Sequence, residues 1–184
     1  MGKEIRLTFG TTVQYMRKDA KGMMGAFVAD EPYVNYVPTM TGGIGAKDLF
    51  RFYRDYFMPS NPASLNLKLI SRTIGTDRIV DEMYVKFRHT QQMPWILPGV
   101  PPTSKEVEIA IVSIIKVRGG KLVHEHVYWD QASVLVQVGL LDPENVPKEM
   151  RSKGMEELPV NDREAARKVL DAESEPSNEL LDGW

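Results

Sequence analysis

The 184-residue sequence contains no cysteine, which removes disulfide frameworks, thiolate metal sites and cysteine nucleophiles together, because each needs sulfur. It also lacks an excess of either charge, with 23 Lys and Arg against 25 Asp and Glu. Without a basic block to neutralise phosphates, nucleic acid is not an expected partner. Long hydrophobic runs are missing as well. The longest apolar stretch, residues 109–117, is broken by Ser113 and Lys116 and falls far short of the roughly 20 residues that span a bilayer. A membrane is therefore not an expected partner either. Arg6 stands where a myristoylation signal needs Ser or Thr, and no apolar leader follows, so a cytoplasmic location is the expectation.

Two catalytic signatures are also absent. No Gly-x-Ser-x-Gly occurs, so there is no nucleophile elbow. The glycines at Gly42, Gly43 and Gly45 fit neither the Walker nor the dinucleotide-binding spacing and read as a turn entering a helix.

What is present is enough apolar material for one core: 42% hydrophobic residues with 26% charged. The spacing of Val13, Met16, Ala20, Met23, Met24 and Phe27 predicts an N-terminal helix, followed by a short strand at 33–37. A second helix over 46–57 carries an apolar stripe of Leu49, Phe50, Tyr53, Tyr56 and Phe57 and ends at Pro59. From Leu65 the period changes to two. Long strands are expected near 65–74, 79–89, 106–117 and 122–129, joined as hairpins at 75–78 and at Gly119-Gly120. Between the hairpins, residues 91–102 hold four prolines interleaved with Met93, Trp95, Ile96 and Leu97. Such a stiff apolar loop either packs on the core or covers the mouth of a pocket. A short helix is expected at 131–138. Residues 142–184 form a polar extension with one helix at 162–170, expected to wrap the surface or move, beside a main domain at 1–141.

Strand alternation supplies the candidate site. On the strand at 79–89, Asp81, Met83, Val85, Phe87 and His89 share one face. A carboxylate there would be raised by desolvation and suit acid or base work; at the strand end it would simply be solvated or capping. On the last strand, His124, His126, Tyr128 and Asp130 align, opposite Val123, Glu125, Val127 and Trp129. The polar row is expected to face a pocket, although a solvated sheet face has the same pattern. It could also be read as a metal-binding His-x-His with Asp130, but spacing of this kind is weak evidence and no further ligand besides the distant His89 is evident.

Local sequence adds a resemblance. Tyr33-Val34-Asn35-Tyr36-Val37-Pro38, the stretch at 78–82, the loop at 97–103, His124-Glu125-His126-Val127-Tyr128-Trp129-Asp130-Gln131 and Val138-Gly139-Leu140-Leu141 resemble the SnoaL-like branch of the nuclear-transport-factor-two-like superfamily. In particular they resemble SnoaL-like modules found alone or joined to dienelactone hydrolase domains. The resemblance implies an α+β fold: a cone-shaped, strongly curved antiparallel sheet packed against N-terminal helices as an α+β barrel, dimeric through its outer face. In the polyketide cyclases of this branch an aspartate at the end of the last strand is the general acid/base, and the matching position is Asp130. Many relatives carry a histidine where this sequence has Tyr36.

The resulting expectation is a cofactor-free acid/base enzyme that cyclises, isomerises or dehydrates a small apolar carbonyl compound. Asp130, His126, Tyr128, Asp81 and His89 are the catalytic candidates, and Tyr36, Phe57, Phe87, Trp95, Leu97 and His124 are expected to bind substrate. No metal is expected, and the partners are a small apolar organic ligand and a second copy of the chain. A non-catalytic binding module with the same pocket is the alternative, and a metal enzyme using the His-x-His strand ranks below it.

Overall fold

Strand pairing organises the chain. The computed structural model describes residues 31–119 and 121–176; the helix expected from Val13 to Phe27 lies outside them. Six strands form one sheet in the order β2-β1-β6-β5-β4-β3. They are β1 (Tyr33–Tyr36), β2 (Thr41–Ile44), β3 (Asn66–Ile74), β4 (Arg78–Arg88), β5 (Glu106–Arg118) and β6 (Lys121–Trp129). The four long strands and both hairpins lie where alternation placed them. The class is α+β, as expected, with two differences in the sheet. It is open, with β2 and β3 as edges, and it is mixed, because β1 runs parallel to β6.

β2 stands where the glycine spacing predicts a turn, because two of its four residues are glycine. The reason for the glycines is close approach. A Cβ on Gly42 (φ +138°) would lie 1.9 Å from the Val34 carbonyl oxygen, and one on Gly43 would press on the backbone of Asp48. Only glycine lets this edge pair with β1 and turn straight into the helix.

That helix starts as α1 (Gly45–Arg51) and continues as a π-helical turn, Phe52–Phe57. The wider turn, with the Met58 N–H donating to the Tyr53 carbonyl, changes which side chains face the sheet. Leu49, Phe52, Tyr53 and Phe57 are buried, whereas Tyr56 of the expected stripe points out and Phe50 carries the Arg54 guanidinium over its ring.

Two bulges interrupt the alternation. In β3 the register shifts between Leu69 and Ser71, so Ile70 is a surplus residue, and the inward parity passes from Leu67 and Leu69 to Arg72. In the hairpin of β5 and β6 the shift leaves Val123 surplus, with Leu122 opposite Val117 and His124 opposite Lys116.

Three shorter helices follow: α2 (Gln131–Val138), α3 (Lys148–Arg151) and α4 (Glu164–Lys168). Gln137 of α2 joins it to β5, accepting from the Glu108 N–H and donating to the Glu108 carbonyl. From α4, Arg167 forks onto the Glu108 carboxylate at 2.7 and 2.8 Å. Glu108 is 1% exposed and also accepts from the Tyr84 hydroxyl at 2.8 Å. This holds the described part of the C-terminal extension against the outer face of β4 and β5.

Candidate active site

The inner face of the sheet carries an apolar cavity of about 80 Å³, several times the roughly 10–15 Å³ that one water needs. Most of its wall is aliphatic, from Leu65 and Leu67 through Met83, Val85, Ile111 and Ile115 to Val127. Aromatic rings close the rest, with Trp95 5.4 Å from Phe57 and 5.7 Å from Tyr36, centroid to centroid. The proline-rich loop supplies Trp95. Its indole N–H donates to Asn61 at 3.0 Å, and its carbonyl accepts from the Thr39 and Thr41 hydroxyls. Met93, Ile96 and Leu97 of the same loop are buried in the core. The loop therefore both packs on the core and walls the cavity.

Into this apolar space project Glu125, Asp81, Ser113 and Tyr36. They stand on neighbouring strands at one level of the sheet. Arg72 lies opposite Asp81, Asp81 opposite Ser113, Ser113 opposite Val127, and Val127 opposite Tyr36. Glu125 is two residues before Val127 and so shares its inward face.

Glu125 is 6% exposed, and its Oε1 accepts from the Ser113 hydroxyl at 2.6 Å. Burial pushes its carboxyl above the usual range and the Asp81 charge adds to this, while the Ser113 hydrogen bond pulls the other way. Asp81, 4% exposed, is held by Arg72 through a two-bonded fork: Nε to Oδ1 at 2.6 Å and a second guanidinium nitrogen to Oδ2 at 2.7 Å. The Tyr36 phenol is raised well above 10 by burial and next by Glu125, with the neighbouring Tyr53 hydroxyl opposing. It stays a proton donor at any ordinary pH.

The structure thus brings together Asp81, Tyr36, Phe57 and Trp95 of the expected residues and separates the others. His124, His126 and Tyr128 are on the outer face of β6, because Val127 and Trp129 on the opposite parity take the core. There Tyr33 stacks on His124 at 4.7 Å, and the His126 ring nitrogen lies 3.1 Å from the Tyr33 hydroxyl. Asp130 lies outside the cavity and caps α2: its Oδ1 accepts from the Ala132 and Ser133 N–H groups at 2.9 and 3.2 Å. His89 shares the inward parity but lies beyond the cavity. It is fully buried against Thr103, its Nδ1 accepting from the Thr103 N–H at 3.2 Å, and burial lowers its pKa. Phe87 and Leu97 are buried core without cavity surface.

Sequence reasoning missed Glu125, Ser113 and Arg72. Glu125 was visible as the one carboxylate on the apolar parity of β6, which is the signal that could have found it. Among the described residues no three His, Cys, Asp or Glu side chains are grouped so as to hold a metal ion. No helix among them is long and apolar enough to cross a membrane.

No family model and no curated relative matches the chain. Solved structures do. A suggested SnoaL-like polyketide cyclase from Jannaschia sp. CCS1 superposes with a TM-score of 0.58 at 13% identity, covering 77% of this chain and 99% of that one. A protein with a ketosteroid isomerase-like fold from Catenulispora acidiphila gives 0.54 at 13% identity over 77% and 96% of the two chains. IdmH from Streptomyces antibioticus, a suggested polyketide cyclase, gives 0.54 at 16% identity over 74% and 99%. The fold of this chain is the NTF2-like, ketosteroid isomerase-like fold that these proteins share.

Proposed function

We propose that this protein is a SnoaL-like, cofactor-free acid/base enzyme acting on a small, largely apolar carbonyl compound, with Glu125 as the proton-transferring residue. The observation that carries this reading is Glu125 itself, a carboxyl buried in an apolar cavity with its proton affinity raised. Such a carboxyl binds its proton more tightly than a solvated one and is a stronger base once ionised. The resemblance assigns this role to Asp130, but Asp130 is spent on the α2 cap, and the role passes to Glu125.

As carboxylate, Glu125 takes a proton from the carbon alpha to the carbonyl. The C–H electron pair becomes the carbon–carbon double bond of an enolate, and the carbonyl oxygen gains the negative charge. Tyr36 donates a hydrogen bond to that oxygen. In a substrate with a β,γ double bond, Glu125 then returns the proton to the γ carbon of the dienolate, which isomerises it; in one with a β-hydroxyl, it gives the proton to that hydroxyl as it leaves and the α,β double bond forms, which dehydrates it. Attack of the enolate carbon on a second carbonyl of the same substrate opens that C=O to an alkoxide, which takes the proton back from Glu125, and the substrate is cyclised. The apolar walls exclude water and strengthen each of these interactions.

The test is exchange of alpha hydrogens for deuterium in small apolar ketones, followed by NMR. Wild-type protein should accelerate exchange, and Glu125→Gln should slow it roughly 10²- to 10⁴-fold. Binding of the ketones without accelerated exchange would make the protein a binding module instead. The homodimer implied by the resemblance would use the outer face around Tyr33, His124, His126 and Tyr128, and native mass spectrometry would reveal it.

A further inference from the structure

Two carboxyl groups share this cavity, and among the described residues only one of them, Asp81, is paired with a cation. Arg72 reaches Asp81 because the bulge at Ile70 turns it inward; without the surplus residue in the count, strict alternation from Leu67 and Leu69 would aim position 72 outward. We infer that Arg72 is a positioning residue for the acid/base pair: its fork holds Asp81 as the carboxylate, and that fixed charge keeps the proton of the pair on Glu125. The inference rests on the proposed role of Glu125 and adds the residue that sets its basicity.

The physical argument is one of partition. Asp81 and Glu125 line one cavity, and two buried carboxyls that share a site ionise together only at a cost, which favours a proton on one of them. The guanidinium decides which. Both Asp81 oxygens are engaged by Arg72, whereas Glu125 has a single neutral donor, the Ser113 hydroxyl. A charge is cheapest where the cation is. The other titratable groups facing Glu125 are the Tyr36 phenol of β1 and the Tyr53 phenol of the π-helical turn. Both are raised well above 10 and stay neutral, so they leave the partition to Arg72. The ion pair as a whole is neutral, but Asp81 on β4 stands between Arg72 on β3 and the strand of Glu125, and it is the Asp81 charge that raises the Glu125 carboxyl.

The consequence is a stronger base. A Glu125 beside a fixed negative charge binds its proton more tightly and, once ionised, removes an alpha proton more readily. Without that charge, Glu125 would ionise at lower pH and lose that advantage.

The test reads Glu125 directly, in ligand-free protein, by 13C NMR titration of its side-chain carboxyl, assigned by the signal lost in Glu125→Gln. In Arg72→Met the Glu125 midpoint should fall by about one pH unit or more. Arg72→Lys, which keeps a cation beside Asp81, should hold it near the wild-type value. Asp81→Asn, which removes the charge itself, should lower it as well and decides the matter if Arg72→Met does not fold. A midpoint that stays put or rises in Arg72→Met, or stays put in Asp81→Asn, overturns the inference. Because no substrate is involved, this result is independent of the exchange assay. A shifted midpoint with no loss of exchange in Glu125→Gln would keep the proton partition and remove the proposed chemistry.

Discussion

The Ser113 hydroxyl donates to Glu125 Oε1 at 2.6 Å across β5 and β6, and it is the contact that favours the ionised form of a carboxyl whose pKa burial and the Asp81 charge both raise. The sign of its removal follows. In Ser113→Ala the charged form loses its donor, so Glu125 should titrate at higher pH than in wild type. The acidic limb of the exchange rate against pH should move upward with it. A downward movement would mean that Ser113 does not serve the carboxylate.

Arg72 and Asp81 make a stability prediction of their own. Removing one partner of a largely buried ion pair leaves an uncompensated charge, at a cost of about 3–5 kcal/mol. Arg72→Met should therefore lower the urea midpoint strongly. Deleting Ile70 should cost less, because Ile70 is the surplus residue and its loss leaves Ser71 opposite Glu82 and Arg72 opposite Asp81. Equal losses would show that the bulge, and not the ion pair, is what the sheet needs.

Asp130 separates the family-based reading from the geometric one. As an N-cap, its replacement by alanine should cost about 1 kcal/mol of stability and leave alpha-hydrogen exchange within a few-fold of wild type. Thermal melting and the exchange assay on the same sample check both. An intact melt with exchange reduced roughly 100-fold would return the catalytic role to Asp130 and take it from Glu125.

The clamp on the C-terminal extension has a defined pH window. Hydrogen bonds from Arg167 pull Glu108 from 4.5 down to about 2, against its burial. A carboxyl whose folded value is depressed contributes stability that is fully present above the unfolded value and is lost as pH falls through the folded one. Wild type should thus be more stable than Arg167→Met at neutral pH, and the difference should fade between about 4.5 and 2. Melting temperatures of both proteins across that range give the comparison. A difference that persists unchanged at pH 2 would remove Glu108 as its source.

Periodicity in the sequence determined a good deal. Period-two alternation located β3 to β6 and sorted the side chains of β4 and, from His124 onward, of β6 into the two sets that the structure keeps apart, and the residues at 131–138 were readable as a helix. Alternation alone cannot say which set turns inward. On β6 that choice was made by Val127 and Trp129, whose burial on the core outweighs the solvation of His124, His126 and Tyr128. Glu125 went inside with them, and a buried carboxyl became the centre of the site. Nor can alternation foresee a surplus residue. Ile70 reverses the parity of β3 and delivers Arg72 to Asp81, a relationship between residues 9 apart in sequence that exists only once the two strands have paired. Residue types and their spacing along the chain were set locally. The inward face, the bulge register and the meeting of Arg72, Asp81, Ser113 and Glu125 were decided by packing between strands, where burying apolar surface settles which polar groups must follow.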